Sequence, residues 1–231
     1  MHIHLPKPLH GWRALVGEIG IIVIGVLIAL GAEQVVEFVH MRSQITEARQ
    51  SLRDELANDS GRWEVTHEQY PCLVKRLDEL QGWAKSARPG AALPHVRGPF
   101  LWNAHVSTWE MARSSAAVAS MALAERDALA SVYQGLEFQQ EQATMRAARA
   151  WSDVIALAQV ADEPQNRAEL RLAIVKARQS TEQLETGYNY IQPRLAALNI
   201  EPNFSDLHLR GQSGSITYVS ATNCPSATGA S

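Results

Sequence analysis

Two Glu-x-x-His pairs, Glu37-Phe-Val-His40 and Glu64-Val-Thr-His67, have the spacing in this sequence that most directly suggests chemistry. Di-iron bundles use such pairs because residues three apart project from one helix face, and they need two pairs plus two further carboxylates aimed at one core. If Val35 to Gln69 is near-continuous helix, the two pairs stand about 40 Å apart at ~1.5 Å rise per residue. His40 also faces away from the apolar stripe Phe38, Met41, Ile45. A shared metal site is therefore not expected.

The other chemical candidates fail on spacing as well. His2 and His4 form an isolated pair near the amino terminus. Gly211-Gln-Ser-Gly-Ser215 departs from a nucleophile elbow at its fifth position, where Gly is required, and no strand-to-helix turn surrounds it. No Gly-rich phosphate loop is followed by Lys, and no Cys/His spacing suggests zinc. No nucleophile, base and orienting group can be assembled, so neither an enzyme nor a cofactor is expected. Cys72 and Cys224 are the only cysteines. In an oxidising compartment they could form one disulfide closing a loop of roughly 150 residues, worth a few kcal/mol in the chain-entropy model; the alternative is two unpaired thiols.

What must position any site is an apolar run, Ala14 to Ala32. At ~1.5 Å per residue it is roughly 28 Å long, close to the ~30 Å hydrocarbon thickness of a bilayer. Glu18 is its one charge, and Ile19 to Ala32 has no charged residue and no Pro. Lipid offers backbone groups no hydrogen-bond partner, so a lone crossing must be helical. Lys7 and Arg13 precede the run without an acid, whereas Glu33, Glu37 and Glu47 surround Arg42 beyond it. That asymmetry puts the amino terminus inside. The rival reading is a cleaved secretory signal with Ala29 and Gly31 near the processing site. Against it, Glu18 interrupts the apolar core and a helical pattern follows Ala32 without a turn-forming residue. Both readings place the remainder outside the cytoplasm.

Within the run, Glu18, Gly25 and Ala32 recur at seven-residue spacing, and Gly25 with Ala29 makes a small-x-x-x-small pair on nearly the same face. Small residues let two membrane helices approach closely. These four residues are the expected transmembrane contact, although the plainer reading of Glu18, one turn inside Arg13, is a carboxylate snorkelling to the inner headgroups, with a protonatable site as a further one.

Glu18-Ile-Gly-Ile-Ile-Val-Ile-Gly-Val-Leu-Ile-Ala-Leu30 resembles the opening helix of a bacterial family of uncharacterised single-span membrane proteins. In that family an E-I-x-I-I-V-x-G-V-L-I-A-L helix leads into a helical extracytoplasmic domain. Thr108-Trp-Glu-Met-Ala-Arg-Ser-Ser-Ala116 followed by Ala128-Leu-Ala-Ser-Val-Tyr133 is similar to a second family segment, with Ser115 and Ala116 where a Gly is usual. The resemblance implies topology and fold; the family brings no activity or catalytic residues.

The rest of the chain reads as helix. Phe38, Met41, Ile45, Ala48, Leu52 and Leu56 continue the span outward, and Trp63, His67, Tyr70, Val74, Leu77 and Leu80 make a second stripe. Between them Asn58-Asp-Ser-Gly61 is a candidate break, and Pro71 a kink or restart. Arg88 to Pro99 reads as a loop. Phe100, Trp102 and Trp109 precede the small-residue run Ser114 to Ala122; aromatics opposite small residues indicate internal packing, with a ligand pocket at Trp102 and Trp109 as the other reading. Glu125 to Ala161 is a long helix that could bend at Gly135. Pro164 opens the next helix, where Leu170, Ile174, Ala177, Thr181, Leu184, Tyr188, Ile191, Leu195 and Leu198 form a heptad seam interrupted by Pro193. The seam suits antiparallel packing on the membrane-proximal helix of the same chain, or pairing between protomers.

The organisation expected for the 231 residues is thus all-α. Residues 1–13 form a cytoplasmic tail, 14–32 a transmembrane helix, 33–198 an antiparallel helical bundle in the periplasm, and 199–231 an extended tail containing a short β-like run, Ser215 to Val219. The expected location is a bacterial inner membrane. Net charge −3 with scattered Lys and Arg excludes a nucleic-acid partner. The expected partners are membrane lipid and either a second copy of the chain or another inner-membrane protein. The alternative function is periplasmic ligand sensing relayed through a membrane partner.

Overall fold

A computed structural model describes residues 11–86, 91, 93 and 96–205. Among these residues the chain is all-α, with no strand. The β-like run at Ser215 to Val219 and most of the expected C-terminal tail lie outside the described residues.

Three long rods make the architecture. The first is α1, Trp12–Glu68, followed after Gln69 by α2, Tyr70–Ser86. Pro71 stands in the first turn of α2, where its missing N–H costs nothing, so it restarts the helix as expected. The second rod is α5, Leu123–Gln139, joined through one π-helical turn at Gln140–Thr144 to α6, Met145–Gln159. The third is α7, Pro164–Ala197. Short helices α3, Ser107–Ala112, and α4, Ala116–Ala119, lie in the connection that leads back from the end of α2 to the start of α5.

Side-chain pairs give the rod directions. Arg53 donates to the Asn199 carbonyl, Tyr188 to Glu64, and Arg178 to Asp78, so partners descend α7 as they ascend α1 and α2. The α7 seam therefore packs antiparallel on the first rod within one chain. Arg49 pairs with Glu125, and the Tyr133 hydroxyl donates to the Leu52 carbonyl, which sets α5 parallel to α1.

Among the described residues two large apolar clusters fill the bundle, with a small third one of Ala143, Ala147 and Leu184. The one nearer the span joins Leu52, Leu56 and Trp63 of α1 to Trp109, Leu129, Tyr133, Leu136, Ile191 and Leu195. The far one joins Leu73, Leu77 and Leu80 of α2 to Trp151, Val154, Leu170, Ile174 and Ala177. Burial of each such side chain contributes about 1.5–3 kcal/mol, which is what holds α7 against both halves of the first rod.

Four expectations need adjustment. Asn58 to Gly61 does not break α1, because Asp59, Ser60 and Gly61 are buried under neighbouring segments and the helix is held there by tertiary contacts. Gly135 lies inside the continuous α5; the irregularity is the π turn five residues later, and Gly135 admits the Tyr190 ring, which would lie 3.2 Å from an added Cβ. Pro193 interrupts the seam without taking Leu195 out of α7, which continues to Ala197; Leu198 stands just past its end. Phe38, assigned to the inward stripe, is 58% exposed; the inward face begins at Met41 and Ile45.

Candidate functional site

α1 is 57 residues long, about 85 Å at ~1.5 Å per residue, and only its second half belongs to the bundle. Its first half contains a stretch long and apolar enough to cross a membrane, none of it buried within the chain. Large apolar side chains from Leu15 to Leu30 are at least half exposed or nearly so, and a Cβ on Gly25 would meet no atom within 4 Å. At ~100° per residue Glu18, Gly25, Ala29 and Ala32 fall within an arc of about 60°, so the four share one face of this free-standing helix.

The exposed apolar surface continues past Ala32. Val35, Val36, Phe38 and Val39 are 58–69% exposed. Arg42 lies over the Phe38 ring at 4.7 Å. Burial by the bundle starts only at Met41, Ile45 and Ala48 and is complete at Leu52.

The two tryptophans singled out in the sequence do different things. Trp109 is in the core, stacked on Tyr133 with centroids 5.1 Å apart and planes 6° from parallel. Burial, together with the nearby Glu55 carboxylate, pushes the Tyr133 hydroxyl well above its usual range, so it stays a neutral donor to Leu52. Trp102 leans on Phe100 and lines a cavity of about 10 Å³ with Arg62, Trp63 and Thr144. That volume suits one water and no larger ligand.

Sequence reading undervalued a polar cluster between α1 and α7. Tyr188 donates to Glu64 Oε2 at 2.6 Å, and Gln192 donates to the same oxygen at 3.3 Å. His67 Nδ1 lies 2.7 Å from Glu185 Oε2, and its ring stacks on Tyr188 at 3.9 Å with planes 2° apart. One Glu-x-x-His pair thus meets a Glu-x-x-Tyr pair crosswise, and each helix supplies one carboxylate and one ring. Two i, i+3 polar pairs on facing stripes were the available signal. A His–Glu dyad can move protons when it borders a substrate cleft. Here the adjoining cavity is about 10 Å³, so the cluster joins helices. The other Glu-x-x-His pair is remote: the continuous α1 puts Glu37 about 40 Å from Glu64.

A second polar knot fixes the connection after α2. Asp59, almost fully buried, accepts from Arg62 at 2.8 Å and from the His105 backbone N–H at 2.7 Å. Burial raises its carboxyl above the ordinary range, and the hydrogen bond from His105 and the charge of Arg62 oppose that shift. Glu55 Oε2 accepts from the Thr108 N–H at 3.0 Å, which satisfies one free donor in the first turn of α3.

Cys72 in α2 is disulfide-bonded. Cys224, the partner expected from the sequence, lies outside the described residues. On the outer side of α6 and α7, Arg146, Arg149 and Lys176 border an open cleft of about 290 Å³ with Asp153.

Comparison of the chain with known family models, with characterised proteins and with solved structures finds no match.

Proposed function

We propose that this chain is a bitopic bacterial inner-membrane protein whose helical bundle stands in the periplasm and whose work is association, with itself or with another membrane protein. The observation that carries the reading is the division of α1. One continuous helix carries an apolar stretch in its first half that no part of the bundle buries, and becomes part of a packed core over its second. An apolar helix left bare in water would aggregate; the same surface in lipid is satisfied, because its backbone bonds are closed internally. Lys7 and Arg13 before the span support an amino terminus on the cytoplasmic side. The likeness of Glu18 to Leu30 to the opening helix of a single-span family supports the same topology. Lacking a roomy pocket beside its acid–base residues, the bundle is suited to contact rather than to catalysis.

Fractionation tests it. The full-length protein should remain in membranes through high salt and alkaline carbonate, leave only with detergent, and be cut by protease added to spheroplasts. A freely soluble product overturns the reading.

The sensor reading loses its aromatic pocket, since Trp109 is core and the space beside Trp102 holds about one water. What supports it is the basic cleft at Arg146, Arg149 and Lys176, which would suit a small anion. Inorganic phosphate or citrate should then raise the melting temperature, since a ligand of the folded state stabilises it.

A further inference from the structure

We propose that α1 pairs with α1 of a second copy of this chain, parallel and in register, along a seam that runs from the span into the exposed stalk. The proposal rests on the membrane-anchor reading above and names the partner. Its observation is periodicity in residues that no other described segment covers. Ile22, Gly25, Ala29, Ala32, Val36, Val39 and Ser43 follow one another at alternating steps of three and four, the period of a left-handed two-helix seam. Val36 and Val39 lie about 6 and 10 Å beyond Ala32 at ~1.5 Å per residue, outside the hydrocarbon, and remain 69% and 61% exposed. The seam is therefore more than the small residues of the span. It has an apolar continuation where lipid tails no longer cover it.

The bundle leaves this face open. Ser43 and Leu52 are nine residues apart, which at ~100° per residue puts them about 180° apart around the helix. Met41, Ile45, Ala48 and Leu52 turn toward the bundle, whereas Ser43, Thr46 and Gln50 are exposed. A second α1 can lie along the seam without displacing any of the described elements. Further on, the chain covers the same side itself: Arg53 donates to the Asn199 carbonyl, and the Asn203 N–H donates to the Ala57 carbonyl at 2.8 Å. The pairing therefore ends near Gln50.

Charge selects a second copy over an unrelated helix. With Val36 and Val39 at the two core positions, Arg42 and Glu47 take the flanking positions that face each other across a parallel pair, five residues apart. One sequence supplies both members, and two-fold symmetry makes the contact twice. The next such cation, Arg49, is committed to Glu125 in its own chain. Two copies inserted with the same topology can meet only in parallel, the orientation this register needs.

Single cysteines placed one at a time at Gln34, Val36, Glu37, Val39, Met41 and Ser43 of the full-length protein in native membranes, followed by oxidation, test the pairing. Val36→Cys, Val39→Cys and Ser43→Cys should give at least about threefold more disulfide-linked dimer than the three positions on the opposite side, the signature of a heptad seam. Arg42→Glu or Glu47→Arg should each lower crosslinking from Val39→Cys severalfold, and the two swaps together should restore it. Uniformly absent dimer in protein that stays in the membrane fraction overturns the pairing and leaves the anchor reading intact. Dimer that peaks at Gln34, Glu37 or Met41 overturns the register. A product found in the soluble fraction overturns the anchor reading and the pairing with it.

Discussion

The backbone carbonyl of Asn203 occupies the place beside Gly61 that a side chain would need: a Cβ on Gly61 would stand 2.1 Å from that oxygen and 2.8 Å from its carbon. Gly61 is helical, so its role is close approach and not turn formation. It lets residues 199–205 lie against α1, where Asn203 also bonds Ala57 and Asn58. Gly61→Ala should destabilise the protein by about 1–2 kcal/mol net, because displacing that segment outweighs the ~1 kcal/mol gained in helix propensity. Gly82→Ala is the control with opposite sign, since a Cβ there meets nothing within 4 Å. Thermal unfolding of both variants in detergent should show Tm lowered in the first and raised in the second.

Removing the hydroxyl of Tyr188 tests the crosswise cluster. Tyr188→Phe keeps the stack on His67 and deletes the 2.6 Å bond to Glu64, leaving that carboxylate only the longer bond from Gln192. The cost should be about 1–2 kcal/mol for a bond to a charged acceptor. Burial, and then the bond to Glu64, raise the hydroxyl above its usual value of 10.0. A raised pKa means that this stabilisation is complete below the unfolded value and is lost as pH rises through the folded one. The difference between wild type and Tyr188→Phe should therefore persist to pH 10 and shrink above it, as measured by denaturant titration.

Acid should weaken the hold of α1 on α5. Arg49 clasps Glu125 through two bonds, 2.5 and 2.8 Å, and holds its carboxyl below the ordinary 4.5. A depressed pKa gives stability present above the unfolded value and lost as pH falls through the folded one. The Arg49 side chain is 39% exposed and Glu125 26%, so solvent screening limits the pair to about 0.5–1 kcal/mol. Glu125→Gln should cost that much at pH 7 and nearly nothing once pH has dropped below the folded pKa of Glu125. Equilibrium unfolding of the two proteins at a series of pH values reads the difference directly.

In the far cluster, the Trp151 indole N–H donates to Thr181 Oγ1 at 3.0 Å, and the Thr181 hydroxyl in turn donates a hydrogen bond to the Ala177 carbonyl at 2.7 Å. Thr181→Val keeps the shape and strands a buried donor, at an expected cost of about 1–3 kcal/mol. Adding Trp151→Phe removes the stranded donor. The double variant should recover part of the loss attributable to that orphan, as a double-mutant cycle on Tm would show.

Much of the helical layout was legible because burial has a period. The α7 seam from Leu170 to Leu195 and the α5–α6 stripe of Leu129, Val132, Leu136, Ala143, Ala147, Val154 and Ala161 are mainly apolar and recur in steps of helical spacing, and most of those side chains are ones the bundle buries. Polar partnerships were legible only as i, i+3 pairs along each helix. Glu185 precedes the seam residue Tyr188 by three, but only the packing of α7 on α1 brings it to His67. Trp109 and Trp102 looked alike in sequence, yet one fills a core layer and the other borders a small void.

By itself the sequence determined the all-α class, the exposed apolar run and the order of the rods, because hydrophobic periodicity and proline chemistry act locally along a chain. Tertiary structure alone decided that Asn58 to Gly61 stays helical, that α7 closes on both α1 and α2, and that the seam face of the stalk points away from the bundle. Those outcomes depend on which surfaces meet across more than a hundred residues of sequence, and a local pattern carries no record of its distant neighbour.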